Sequence, residues 1–116
     1  MSPRKKVVEH LAACFSRQDW AGMLPMVTED FERWEVGAPT RTHGKKEFVK
    51  EMEPGPDVTR LQNDIARMFE EGDVVVAEGT VQVFLKDGKV IHVRYCNVYE
   101  FEGEKVKRLT AYTNVV

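Results

Sequence analysis

The spacing of apolar residues along the chain changes from a helical period to a strand period near residue 58. In the N-terminal part, Val7, Leu11 and Phe15 recur at four-residue intervals and predict the apolar face of a helix. Ser2 is suited to the N-cap of this helix, and Pro3 to its first position, where the missing N–H is not needed. The chain is therefore expected to begin with an amphipathic helix.

Two further helices and a short strand are predicted before residue 58. A second helix should run over residues 19–28 with Asp19 as its N-cap, and Pro25 should kink or shorten it. Residues 31–36 are rich in aromatic and branched side chains and predict a strand. A third helix is expected after Gly44, and it should stop at Pro54-Gly55-Pro56.

The remainder of the chain has the alternation of long β-strands. Strands are predicted over about residues 58–70, 74–85, 90–101 and 105–115. Asp87-Gly88, between two of them, is a strong signal for a hairpin turn. Three successive hairpins form an antiparallel meander, so we expect an α+β fold in which residues 1–116 are one domain.

Both faces of the strand at 74–85 are largely apolar. One face carries Val74, Val76, Glu78, Thr80, Gln82 and Phe84, and the other Val75, Ala77, Gly79, Val81, Val83 and Leu85. An antiparallel sheet with one wetted side would show a clearer alternation of apolar and polar residues. One face is therefore expected to pack on the helices and the other on a second copy of the chain, which predicts a homodimer.

Charge and cysteine content narrow the possible partners. The 17 basic and 19 acidic residues give a formal net charge of -2, which does not indicate binding to nucleic acid or to an anionic membrane. No stretch is long and apolar enough for a signal peptide or a membrane span, so a cytoplasmic protein is expected. Cys14 and Cys96 are expected to be reduced, and no metal site or cofactor is predicted.

Several short segments, taken in order, resemble a known family. They are Gln18-Asp19-Trp20, Thr28-Glu29-Asp30-Phe31, Gly44 at a helix start, Glu71-Gly72-Asp73, and residues 97–106 with Tyr112 downstream. Their order is similar to that of the SnoaL-like branch of the NTF2-like superfamily, which includes ketosteroid isomerase. The resemblance implies a cone-shaped barrel, in which a curved antiparallel sheet and three helices enclose a pocket.

The resemblance also carries over individual positions from two enzyme branches. At the ketosteroid isomerase positions, Glu35 stands for the general base and Asn97 for the group that holds the oxyanion, but Leu11 replaces the tyrosine donor. At the Arg-Asp-Asp positions of the limonene epoxide hydrolases the match places Glu78, Thr80 and Ala111. Only one carboxylate is present there, so epoxide hydrolysis is not expected.

The resemblance implies which side chains line the pocket. The inward residues would be Glu78, Thr80, Val93, Tyr95, Asn97, Leu109 and Ala111, with Trp34 and Trp20 near the rim. Burial would raise the pKa of Glu78 and suit it to proton transfer near neutral pH. The alternative is that Glu78 pairs with Arg67 or Arg94, or reaches solvent.

Three functions remain open at this point. The chain could be a cofactor-independent isomerase or cyclase that acts on a small apolar molecule, with Glu78 or Glu35 moving a proton and Asn97 steadying the oxygen. It could bind such a molecule without chemistry, or it could serve only as a dimerisation module. The first requires a carboxylate in the cavity, and the third requires a cavity filled by side chains.

Overall fold

The first two helices of the computed structural model, which describes residues 1–116, begin at the predicted caps. α1 spans Pro3–Arg17, and the Ser2 hydroxyl accepts a hydrogen bond from the Lys5 backbone N–H at 3.1 Å. α2 spans Trp20–Met23, and the Asp19 carboxylate accepts from the backbone N–H of Gly22 at 3.0 Å. The chain then tightens into a 3₁₀ turn over Leu24–Met26 around Pro25, so this segment is shorter than predicted.

One further helix and six strands complete the chain. α3 spans Gly44–Met52. The strands are β1 (Val27–Glu35), β2 (Thr42–His43), β3 (Val58–Glu71), β4 (Val74–Leu85), β5 (Val90–Glu102) and β6 (Lys105–Val115). The bounds of β3 to β6 agree with the predicted strands to within one residue. β1 begins four residues earlier than expected, and β2 was not predicted.

The six strands form one sheet in the order β2-β1-β6-β5-β4-β3. β3 to β6 are the expected antiparallel meander, and β1 runs parallel to β6, so the complete sheet is mixed. The parallel pairing brings Trp34 opposite Thr110 and requires the chain between them to cross back over the sheet. β2 and β3 are the two edges, so the curved sheet does not close into a barrel.

The helices cover one face of the sheet, which we call the inner face. On β4 this face carries Val75, Ala77 and Gly79, all of them buried. Because side chains alternate strictly along a strand, Glu78 and Thr80 lie on the opposite, outer face. The prediction that these two residues point into the pocket is therefore wrong.

The core lies between the inner face and the helices. Phe31 on β1 meets Phe48 on α3 edge to face, with ring centroids 4.7 Å apart, and both side chains are almost fully buried. Val8 and Cys14 of α1 are fully buried against the same cluster. None of the helices combines the length and the apolar composition needed to cross a membrane.

Candidate functional site: a cavity under the helices

A cavity of about 200 Å³ lies between the helices and the inner face of the sheet. Nineteen residues line it and fifteen of these are hydrophobic, so its character is mainly apolar. Four polar side chains interrupt the apolar lining: Arg33, Asn63, Asn97 and Thr113. An apolar cavity with a few placed polar groups is the usual form of a small-molecule site.

Five of the residues predicted to line the pocket do line this cavity. They are Val93, Tyr95, Asn97, Leu109 and Ala111. All five lie on β5 and β6, whose register brings Asn97 opposite Ala111. The structure thus places these five side chains on the cavity side of β5 and β6.

The carboxylate of Glu78 lies outside the cavity. It accepts hydrogen bonds from the Arg67 guanidinium, with an Nη2–Oε1 distance of 3.1 Å, on the outer face of the sheet. Thr80 is exposed on the same face. Glu78 therefore adopts the alternative considered from the sequence, an ion pair with Arg67.

Neither tryptophan lines the cavity wall. Trp20 is half-buried and packs edge to face on Phe15, with ring centroids 5.8 Å apart. Trp34 points away from the core on β1, donates to the Ala38 carbonyl at 3.1 Å, and has the Arg41 guanidinium 4.8 Å from its ring centroid. The expected position of Trp34 at the pocket rim is therefore wrong, because it lies on the face of β1 opposite Phe31 and Arg33.

Glu35 lies at the end of β1 and is exposed. Its Oε1 accepts a hydrogen bond from the Thr113 hydroxyl at 2.7 Å, and Thr113 is part of the cavity lining. Glu35 thus touches the cavity only through this hydroxyl. The structure brings neither predicted carboxylate base into the cavity itself.

Two buried tyrosines supply hydroxyl groups to the cavity wall. Tyr95 donates to the Asn63 side chain at 2.6 Å, and Tyr99 accepts from Asn97 Nδ2 at 3.2 Å. Burial is the main reason that the pKa of each phenol is raised above its ordinary value. Both phenols therefore keep their protons at neutral pH.

Asn97 has one amide end without a partner. Its Oδ1 is buried and accepts no hydrogen bond, while Nδ2 is bound to Tyr99. If the two amide ends were exchanged, Nδ2 would occupy the same unpartnered position. Asn97 lines the cavity, and χ2 is a torsion with a broad energy profile, so a small rotation can present this end to a ligand. Leaving it unpaired costs about 1–3 kcal/mol, so a ligand that pairs with it gains affinity.

Sequence reasoning missed Arg33, the one charged side chain that lines the cavity. Its side chain is only 12% exposed, and Nη1 donates to Glu51 on α3. The Thr42 hydroxyl donates to the same carboxylate. A signal was available, since Arg33 lies two residues after Phe31 and therefore shares its inward face.

Residues 8–109 match the family model described as the SnoaL-like domain. The chain belongs to the SnoaL-like domain family. A search of curated proteins found no match. The resemblance noted in the sequence is thereby confirmed, and the α+β, NTF2-like fold with it.

Solved structures with this SnoaL-like fold are numerous but distant in sequence. The chain is similar to a putative SnoaL-like polyketide cyclase from Shewanella denitrificans, with a TM-score of 0.85 and 14% identity, covering 98% of this chain and 92% of that one. An NTF2-like protein of unknown function from Burkholderia pseudomallei has a TM-score of 0.82 and 20% identity, with coverages of 98% and 92%. An LEH-like epoxide hydrolase from M. tuberculosis has a TM-score of 0.83 and 16% identity, covering 97% of this chain and 83% of that one. Identities this low establish the shared fold alone.

Proposed function

We propose that this SnoaL-like domain binds a small, mainly apolar molecule in the cavity under its helices. The observation that carries the proposal is the unpartnered amide end of Asn97 in an otherwise apolar lining. A volume of about 200 Å³ lies below the range of drug-sized sites, which favours a ligand of one or two rings. A ligand hydroxyl suits either end of the amide, because a hydroxyl both donates and accepts.

Proton transfer by a carboxylate is not part of this proposal. The enzyme hypothesis required a carboxylate within reach of the bound molecule, directly or through one water. Glu78 is paired with Arg67 on the outer face, and Glu35 is exposed beyond Thr113. A non-catalytic binding module fits these positions better than an isomerase or cyclase, and the open volume argues against a filled scaffold.

The test compares two probes that differ in one donor. We expect 2-naphthol to bind about 2- to 10-fold more tightly than 2-methoxynaphthalene, because only the hydroxyl can donate to Asn97 Oδ1. In Asn97→Leu, a variant of similar size, the two affinities should become equal. Isothermal titration calorimetry measures all of these affinities.

The matched control removes a carboxylate from the outer face. Glu78→Gln should leave both affinities unchanged, because Glu78 does not line the cavity. Circular dichroism of each variant shows whether the fold is retained. Absence of saturable binding of either probe to the wild-type chain would disprove the binding function.

We further propose that the outer face of the sheet joins two copies of the chain. Phe69 and Tyr112 on this face are 53% and 50% exposed, which is unusual for aromatic side chains on long strands. Tyr112 lies on β6, a central strand, in a groove that also contains Cys96 and Arg94. If two copies were related by a two-fold axis that passes through this face, the outer face of each copy would be buried against that of the other.

Sedimentation at micromolar concentration should therefore show a species about twice the 13.3 kDa mass of the chain. Tyr112→Lys should shift it to the monomer, because the contact would bury an unpaired lysine charge in each copy. Val115→Lys is the matched control, since Val115 is 68% exposed and lies off this face. A wild-type monomer at this concentration would rule the dimer out.

A further inference from the structure

Arg33 is in an uncommon position for a charged side chain. Of the nineteen residues that line the cavity it alone is charged, and only 12% of its side chain is exposed. Charged groups in apolar surroundings are normally paired on every side, because removing a charge from water is costly. The pairing of Arg33 within the chain accounts for only part of its guanidinium.

A guanidinium has five N–H donors in a planar fork, and only one edge of this fork is used. Nη1 donates to Glu51, whereas Nε and Nη2 donate to no other residue and are left for a ligand or solvent. These two nitrogens form the edge that matches the two oxygens of a carboxylate. Arg33 can therefore hold Glu51 on one side and a second carboxylate on the other.

The surroundings of Arg33 are suited to a second anion. No carboxylate lines the cavity, and Glu35 reaches it only through the Thr113 hydroxyl. Glu51 is 41% exposed, and solvent screens its charge. On the sheet, Arg33 is opposite Leu109, and Leu109 is opposite Tyr99. Two strand spacings separate the backbone of Arg33 from that of Tyr99 by roughly 10 Å, so these two residues lie on the same cavity wall, on either side of Leu109.

We propose that the cavity selects organic carboxylates, with the ligand carboxylate held by the Nε–Nη2 edge of Arg33 and its rings on the apolar lining. This inference rests on the proposed binding function and names its ligand class. In this role Arg33 is a specificity-determining residue, and Glu51 positions it. A purely structural Arg33 would only tie β1 to α3 and would not distinguish a charged ligand from a neutral one.

The first test uses the wild-type chain and needs no substitution. At neutral pH, 2-naphthoate should bind about 10- to 100-fold more tightly than 2-naphthalenemethanol, which has the same rings and no charge. If both bind equally, this inference is wrong and the binding function stands. If neither binds, both are wrong.

Variants then assign the preference to Arg33. Arg33→Met should reduce the ratio of the two affinities to about one while 2-naphthalenemethanol still binds. Glu51→Gln should keep or increase the ratio, because it removes a nearby negative charge while the glutamine amide oxygen can still accept from the Arg33 guanidinium and hold it in place. A ratio that is unchanged in Arg33→Met would overturn the assignment.

Discussion

Replacing Phe48 by alanine is expected to lower the free energy of unfolding by about 3–5 kcal/mol. Phe48 is 2% exposed and is held between α3 and the sheet, with its ring centroid 4.7 Å from that of Phe31. Alanine loses both the burial of the ring and the edge-to-face contact, and the surrounding side chains can only partly fill the space. Urea denaturation at one fixed protein concentration measures the loss.

Lys50→Ala is the control for Phe48→Ala. Lys50 lies on the exposed side of the same helix, and its replacement should change stability by no more than about 0.5 kcal/mol. A loss below about 1 kcal/mol for Phe48→Ala would show that α3 is not anchored through this ring.

The same substitution also bears on the site, because Phe48 lines the cavity. Removing the ring enlarges the cavity on the side of α3. Probes larger than naphthalene derivatives should therefore gain affinity relative to 2-naphthol in Phe48→Ala. A gain in affinity for the larger probes would show that the lining residues limit the size of the ligand. No gain would show that the entrance of the cavity limits it.

The strands of the meander could be predicted because their ends are marked locally. Gly72, Gly88 and Gly103 each take a positive φ in the turns between β3, β4, β5 and β6, and glycine adopts that conformation without strain. The parallel pairing of β1 with β6 has no such local mark. It depends on how the helices pack against the sheet, which no short segment of sequence specifies.

The inward face of β4 could not be read from alternation alone. Val74 and Val76 on one side are as apolar as Val75 and Ala77 on the other, so the pattern does not distinguish the two faces. The resemblance to the SnoaL-like family then implied that Glu78 points into the pocket. On β5 the two inward tyrosines, Tyr95 and Tyr99, alternate with Cys96 and Val98, and both tyrosines line the cavity.

The faces of β1 were ambiguous for a different reason. Its pairing with β6 shifts register between Val27 and Glu32, so alternation cannot be counted along the whole strand. Alternation from Phe31 alone indicates that Arg33 is inward, but the family resemblance placed Trp34 near the pocket instead. Part of the apolar lining, on β5 and β6, was predicted from the sequence, whereas the one charged lining residue was overlooked.

Replacing Gly79 by alanine is expected to lower the free energy of unfolding by about 1–3 kcal/mol and to weaken ligand binding. A Cβ at this position would lie 2.6 Å from the Tyr95 hydroxyl and would also collide with the Asp64 backbone carbonyl. To avoid it, Tyr95 must move, and its hydrogen bond to Asn63 would be lost. Since Tyr95 and Asn63 both line the cavity, the affinity for 2-naphthol should fall as well.

Gly55→Ala is the matched control for Gly79→Ala, because a Cβ there has no atom within 4 Å and its backbone φ is ordinary. It should change neither stability nor binding. A double variant, Gly79→Ala with Tyr95→Phe, distinguishes the collision with Tyr95 from the collision with the Asp64 carbonyl. Phenylalanine lacks the hydroxyl oxygen that the new Cβ would meet. If Tyr95 is the main obstacle, the double variant should lose less than the sum of the two single losses. If the losses add, the Asp64 backbone is the obstacle, and β3 must move away from β4 to accommodate the new Cβ.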